Sequence, residues 1–187
     1  MDNKKLTEHG IKWGIILGLV VSLIRITPWF ISPEAALDTG GKSSITWWLG
    51  LAVFIGLLSF VAVKARGFSG YITSKQAFRV LFAAVLVHGI LSFVVDTTVF
   101  VINKEKIDLK MTEVREETYS KMEEKGMTDE QIEQSMKWFD MFKPGMTLMV
   151  VGFFFRFGVN VLIALIIAQI VKRNPPVQPV SIQQQEE

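Results

Sequence analysis

The chain has 187 residues, half of them hydrophobic, a formal net charge of +2 and no cysteine. So small a net charge provides no basic field for nucleic acid, and the lack of thiols excludes disulfides and cysteine-ligated metal centres. Four apolar runs of about 20 residues exceed what a soluble domain of this length needs, and each is long enough to cross a bilayer as a helix. The composition therefore predicts an all-α integral membrane protein with the lipid bilayer as its main partner.

The predicted spans are residues 11–31, 45–63, 78–102 and 146–171, within one transmembrane domain covering residues 1–173. A charged insert, residues 103–143, separates the third and fourth spans. The Pro- and Gln-containing tail, residues 174–187, is predicted to be disordered. The first run is longer than the ~7–15 apolar residues of a cleavable signal peptide, so we expect it to stay in the mature protein.

The first span carries small residues at every fourth position: Gly10, Gly14, Gly18 and Ser22, with Arg25 on the same side of the helix. Such a stripe lets two helix backbones approach closely inside a membrane. It predicts a helix-packing face. The partner is either another span of this chain or a second copy in a homo-oligomer.

The third span has the same four-residue spacing in Ala84, His88, Ser92 and Asp96. A capping box at residues 73–76 is predicted to begin its helix. Beyond Ile102 the sequence turns to charged residues without Pro or Gly until Gly126, which predicts one helix that leaves the membrane and continues into water.

The insert reads as an extramembrane helical hairpin. Gly126 is a left-handed helix stop, Thr128 and Gln131 form a capping box, and Met127 and Ile132 occupy hydrophobic-staple positions. Narrow apolar stripes run along both helices, and their methionines suit an adaptable surface. The sequence leaves two functions open for residues 104–142: docking of a protein partner, or a solvated connection.

The fourth span repeats the design with Gly152, Arg156, Asn160 and Ala164. Counting ~1.5 Å per residue places Arg25 and Asp96 at similar depth, which predicts their contact, with Arg156 close enough to share it. Intramembrane charges usually face a partner or a wet cavity. His88, Ser92 and Asn160 complete this predicted polar cluster, which is either a structural lock or a proton or anion pathway.

Enzyme signatures are missing. Two histidines cannot assemble a His-rich metal site, and no hydrolase or metalloprotease motif is present. Ser92 and His88 share a helix face, but no oxyanion donors can be named for them. We therefore predict no catalytic residues, no metal and no cofactor. The expected function is non-enzymatic, with a small proton- or anion-translocating unit as the alternative.

Orientation follows from the basic residues. Lys42 is the single Lys or Arg of the first connection. Nine lie in the two tails and the second connection: Lys4, Lys5, Lys12, Lys64, Arg66, Lys75, Arg79, Lys172 and Arg173. The positive-inside rule then predicts that both termini are cytoplasmic.

Three segments carry a resemblance to a known family: Gly-Ile-Lys-Trp-Gly at 10–14, Gly-x-x-Gly-Tyr-Ile-Thr-x-x-Gln-Ala-Phe at 67–78, and Met-Glu-Glu-Lys-Gly-Met-Thr-Asp-Glu-Gln-Ile-Glu-Gln at 122–134. With them the chain resembles, over residues 5–175, the bacterial family catalogued as domain of unknown function 4199, common in the Bacteroidota. The resemblance implies a four-span protein of the bacterial inner membrane with a helical insert before the last span. It implies no activity and no site residues.

Overall fold

The computed structural model describes residues 3–31, 42–141 and 145–173, and over these ranges the chain forms six helices and no strand. The helices are α1 (Asn3–Ile31), α2 (Lys42–Arg66), α3 (Ser74–Ile102), α4 (Lys104–Glu124), α5 (Asp129–Met141) and α6 (Met146–Val171).

Four of these helices, α1, α2, α3 and α6, are long and apolar enough to cross a membrane. Each contains one predicted span, and α4 and α5 form the hairpin between the third and fourth spans. The predicted all-α fold with four spans and a hairpin is thus confirmed. The predicted tail 174–187 lies outside the described residues.

Helix α3 is the centre of the bundle, because α1, α2 and α6 all pack against it. The glycine stripe of α1 makes the closest approach. A Cβ at Gly14 would lie 2.7 Å from the carbonyl oxygen of Ala84, one at Gly10 would meet the Val80 carbonyl, and one at Gly18 would lie 2.8 Å from the Leu91 side chain. The glycine stripe therefore packs against the third span of the same chain. The Gly-xxx-Gly spacing alone did not distinguish this partner from a second copy of the chain.

Tight packing is confined to the half of the bundle nearest the chain termini. Burial ends at Ser22 in α1 and at Ser92 in α3, and in α6 it begins only at Ala164. Toward the hairpin, none of the described side chains on these three helices is fully buried. The helices therefore separate at their hairpin end, where the predicted charges lie.

Local signals fix the ends of α3. The Thr73 hydroxyl accepts from the Gln76 backbone N–H, while the Gln76 side chain accepts from the Thr73 N–H at 3.1 Å, which is the predicted capping box. The prediction of one unbroken helix into water is wrong at Asn103, where α3 ends. The Asn103 side-chain amide donates to the Val99 carbonyl at 2.9 Å, and the Asn103 backbone N–H donates to the same oxygen at 3.0 Å.

The hairpin turn follows the predicted chemistry. Gly126 has φ +71°, its N–H donates to Glu123, and the Met127 N–H donates to Met122, which together make a Schellman motif. Thr128 and Gln131 form the second capping box, through reciprocal hydrogen bonds of 3.1 and 3.4 Å.

The two hairpin helices pack against each other. Ile132 and Met136 are buried, and Met127 is half-buried. Arg115 on α4 and Asp140 on α5 form an ion pair at 3.3 Å, with both side chains about half exposed. The hairpin is therefore a small helical unit with its own apolar contact.

Candidate functional site

The intramembrane charges of three helices meet at one carboxylate oxygen. Arg25 Nη1 on α1 and Arg156 Nη2 on α6 each lie 2.9 Å from Asp96 Oδ2 on α3. This is the arrangement expected from the sequence, with one acid shared by two arginines. Since α1 and α6 barely touch each other within the described ranges, Asp96 is the group that connects them at this level.

Burial of this cluster is incomplete. The side chains are 32%, 18% and 39% exposed for Arg25, Asp96 and Arg156 respectively. Such exposure follows from the separation of the helices at the hairpin end. A charge-assisted contact of this length is strong where water is scarce, and it weakens where solvent can screen it.

His88 and Ser92 lie on the same face of α3, in the packed half of the bundle. Both are buried, and the Ser92 hydroxyl is 3.4 Å from His88 Nδ1. The imidazole ring also packs against Phe54 of α2, with ring centroids 5.0 Å apart. The pair is therefore part of the helix-packing surface, and neither residue lines the cavity described next.

A cavity of about 550 Å³ opens beside the arginine–aspartate cluster. Arg25, Asp96 and Arg156 provide its ionisable lining. The remaining lining is mainly apolar and comes from α1, α2, α3, α4 and α6: Ile26, Trp29, Trp47, Phe93, Val99, Phe100, Ile107, Met149, Gly152, Phe155 and Val159. The site thus combines a formal charge of +1 with apolar walls.

Two predicted members of the fourth span do not act as expected within this chain. Asn160 is half-buried and has no hydrogen-bond partner among the described residues. Gly152 was predicted to pack against a neighbouring helix, and that is wrong here. It is exposed, and a Cβ there would meet nothing within 4 Å, because the helices have already separated at its level.

The other predicted packing residues lie in the tight half. Ala84 and Ala164 are fully buried, and Ser22 is buried with its hydroxyl oxygen unpaired among the described residues. The small side chains at these positions allow the close helix contacts made through α3.

Sequence reasoning missed the apolar walls of the cavity. The sequence patterns did not identify Trp29, Trp47, Phe93 or Ile107 as parts of one site. The indole groups near the hairpin-side ends of α1 and α2 were a usable signal, since tryptophan marks the headgroup level of a span. Nothing in the sequence places Ile107 at the same cavity as Arg25, because its position depends on the turn at Asn103.

The described residues hold no group of three or more His, Asp and Glu side chains arranged for a metal ion. The site offers guanidinium donors and one carboxylate instead, a set suited to binding an anion.

The sequence model of a protein family described as "Protein of unknown function (DUF4199)" matches residues 12–173. The chain belongs to this family. The DUF4199 match includes the first span from residue 12 onward, the other three spans, the hairpin and every member of the polar cluster. No curated protein and no solved structure shows significant similarity to the chain.

Proposed function

We propose that this DUF4199 protein is a non-enzymatic membrane component. In this proposal the Arg25–Asp96–Arg156 cluster is a lock that fixes three spans relative to one another, and the α4–α5 hairpin binds a protein partner. One observation carries the lock: a single Asp96 oxygen accepts contacts of 2.9 Å from arginines on two different helices. Removing a shared acceptor of this kind strands two cations in an apolar setting, which is costly.

The proposal includes no catalysis, and the geometry of the Ser92–His88 pair supports this. Of the arrangements considered in the sequence, this pair most resembles a nucleophile with its general base. At 3.4 Å its hydrogen bond is long, and both side chains are buried away from the cavity. A substrate has no access to the hydroxyl in this arrangement.

Translocation of protons or anions is the competing function, and the packing below the cluster argues against it. A pathway needs polar groups or a wet cavity through the membrane. Between His88 and the terminal end of the bundle, the side chains that meet at the centre are apolar and buried: Leu17, Phe54, Leu58, Leu81, Val85 and Ile167. Because this layer is apolar, it supports a structural lock and not a polar route from the cluster to the terminal side of the bundle.

Reconstituted protein separates the two functions. In proteoliposomes with an internal pH dye or anion indicator, the lock predicts no flux above empty vesicles. Translocation predicts a flux that Asp96→Asn and His88→Ala abolish while Asp140→Asn, an acid outside the membrane, leaves it intact. A flux with that pattern would overturn the lock.

The docking part of the proposal is supported by an apolar groove on the hairpin. It has a volume of about 350 Å³ and is lined by Met111, Thr118, Met122, Ser135, Met136, Trp138 and Phe139. Trp138 is 56% exposed, which leaves a large apolar surface on an extramembrane helix. Methionine and tryptophan at one groove suit an apolar helix or segment of a partner protein.

A photo-crosslinking amino acid placed at Met122 tests this in native membranes. A discrete protein adduct is expected from Met122, and the same probe at Glu116, on the charged face, serves as the matched control. Met111→Glu should abolish the Met122 adduct. Equal adducts from both positions, or none from Met122, would contradict docking through the groove.

Cytoplasmic termini belong to the same proposal, supported by the distribution of Lys and Arg. A bacterial inner membrane belongs to it through the family resemblance of the sequence. Because the chain has no cysteine, Lys5→Cys and Glu116→Cys each introduce a unique thiol. In intact cells an impermeant maleimide should label Glu116→Cys but reach Lys5→Cys only after permeabilisation. The reverse pattern would overturn the orientation.

A further inference from the structure

The cavity at the hairpin end of the bundle carries an uncompensated charge. Arg25 and Arg156 each contribute one positive charge and Asp96 one negative charge, so the formal sum is +1. A net charge at membrane depth is costly without a partner. We propose that this cavity binds the headgroup of an anionic phospholipid from the leaflet on the hairpin side of the bilayer.

The two guanidinium groups keep donors for such a ligand. Within the described part of the chain each makes one ion-pair contact, and both contacts end on the same Asp96 oxygen. A guanidinium has five N–H donors, and a phosphate accepts two of them side by side. A phosphodiester therefore finds free donors from two helices, while its single charge brings the site to neutrality.

The walls favour a lipid over a soluble anion. The described lining beyond the three charges is mostly aromatic and aliphatic, as in Phe93, Phe100 and Met149. Phe155, which also lines the cavity, is 76% exposed on the outer surface of α6, so the cavity wall is continuous with the surface that meets acyl chains. An acyl chain would cover this apolar surface, whereas a free phosphate would leave it wet.

Position and size agree with this occupant. Trp29 and Trp47 line the cavity, and indole rings concentrate at the headgroup level of membranes. The volume of about 550 Å³ is within the range of pockets that hold small ligands. Arginine pairs with phosphate oxygens through two parallel N–H donors, so two arginines on neighbouring helices suit an anionic headgroup. The site does not depend on docking by the hairpin, and it uses donors that the lock leaves free.

Tryptophan fluorescence gives a direct test with full-length protein in mixed micelles. Brominated phosphatidylglycerol, which is anionic, and brominated phosphatidylcholine, which is zwitterionic, quench indoles that they approach. The proposal predicts stronger quenching by the anionic lipid. Trp29→Phe with Trp47→Phe should remove most of that difference, whereas Trp13→Phe, a residue away from the cavity, should not.

Charge variants give the sharpest outcome, because they change the number of cationic groups in the cavity directly. Arg156→Gln should lower the preference for the anionic lipid about five-fold, because it removes one cationic group from the cavity and keeps the Arg25–Asp96 contact. Arg66→Gln, the same change outside the cavity, should leave it unchanged. If Arg156→Gln fails to fold, Arg25→Gln makes the same change in charge on the other helix.

Two results would overturn the lipid site. One is an equal preference in wild type and Arg156→Gln, which is what a purely structural cluster predicts. The other is release of the quenching by millimolar inorganic phosphate alone, which would assign the cavity to a soluble anion. Failure of either kind leaves the lock and the hairpin proposal untouched, since their readouts are flux and crosslinking.

Discussion

Replacing Gly14 by alanine tests the close approach of α1 to α3. The added Cβ would lie 2.7 Å from the Ala84 carbonyl oxygen and 2.9 Å from the Ala84 Cα, whereas ordinary contacts begin at 3.4 Å. Both neighbours are backbone atoms and cannot rotate away. The helices must therefore separate by about 0.7 Å, and overpacking of this kind costs about 1–3 kcal/mol.

Gly56 on α2 provides the matched control. A Cβ there would meet nothing within 4 Å, so Gly56→Ala changes only the backbone preference, which favours alanine in a helix by up to ~1 kcal/mol. The same gain in helix preference applies when Gly14 is replaced by alanine. The difference between the two variants thus isolates the steric cost at the α1–α3 contact.

The free energy of unfolding is measured by reversible denaturation of detergent-solubilised protein with SDS. We expect Gly14→Ala to be about 1–3 kcal/mol less stable than Gly56→Ala. Equal stability of the two variants would refute the packing argument, because it would mean that α1 and α3 are not in backbone contact at Ala84.

Three further predictions concern the lock and the hairpin. Asp96→Asn should lower the free energy of unfolding by about 1–3 kcal/mol, whereas Asp140→Asn should lower it by under ~1 kcal/mol because the Asp140 ion pair is exposed. Equal losses for the two variants in the same denaturation assay would contradict the lock. Gly126→Ala should destabilise the hairpin by about 1–2 kcal/mol because alanine is strained at a positive φ, while its Cβ would have no atom within 4 Å. Amide hydrogen exchange in α4 and α5 should become faster, and exchange in α3 should not change. The Lys121 ammonium donates to Glu117 at 2.7 Å and lowers the pKa of that carboxyl, so this pair stabilises α4 slightly at neutral pH and ceases to do so as the pH falls through the lowered pKa. Circular dichroism should therefore show a smaller acid-induced loss of helicity in Glu117→Gln than in wild type, and an equal loss would contradict the prediction.

The sequence predicted those parts of the structure that depend on position along one helix. Gly14 and Gly18 recur on one face, so a close packing surface was foreseeable from spacing alone. The contact of Arg25 with Asp96 followed from equal depth in two parallel spans, and Arg156 from the scarcity of other partners. The turn at Gly126 follows from a single glycine and the capping signals around it.

What the sequence missed depends on distances between helices. Gly152 has the same periodic spacing as Gly14, but the neighbouring helix is out of reach at its level, and no local pattern records that separation. At the end of α3, Asn103 donates to the Val99 carbonyl from both its side chain and its backbone, and the surrounding run of helix-forming residues conceals this helix end. The cavity combines residues from five helices, so only the assembled bundle reveals it.

The distance between α1 and α6 at the hairpin end tests the central claim, that Asp96 holds these helices in place. The chain has no cysteine, so Leu23→Cys and Val151→Cys, both exposed positions, take spin labels cleanly for pulsed electron resonance. We predict one narrow distance distribution in the otherwise native protein and in Asp140→Asn, and a broader, longer one in Asp96→Asn. A distribution that Asp96→Asn leaves unchanged would contradict the account.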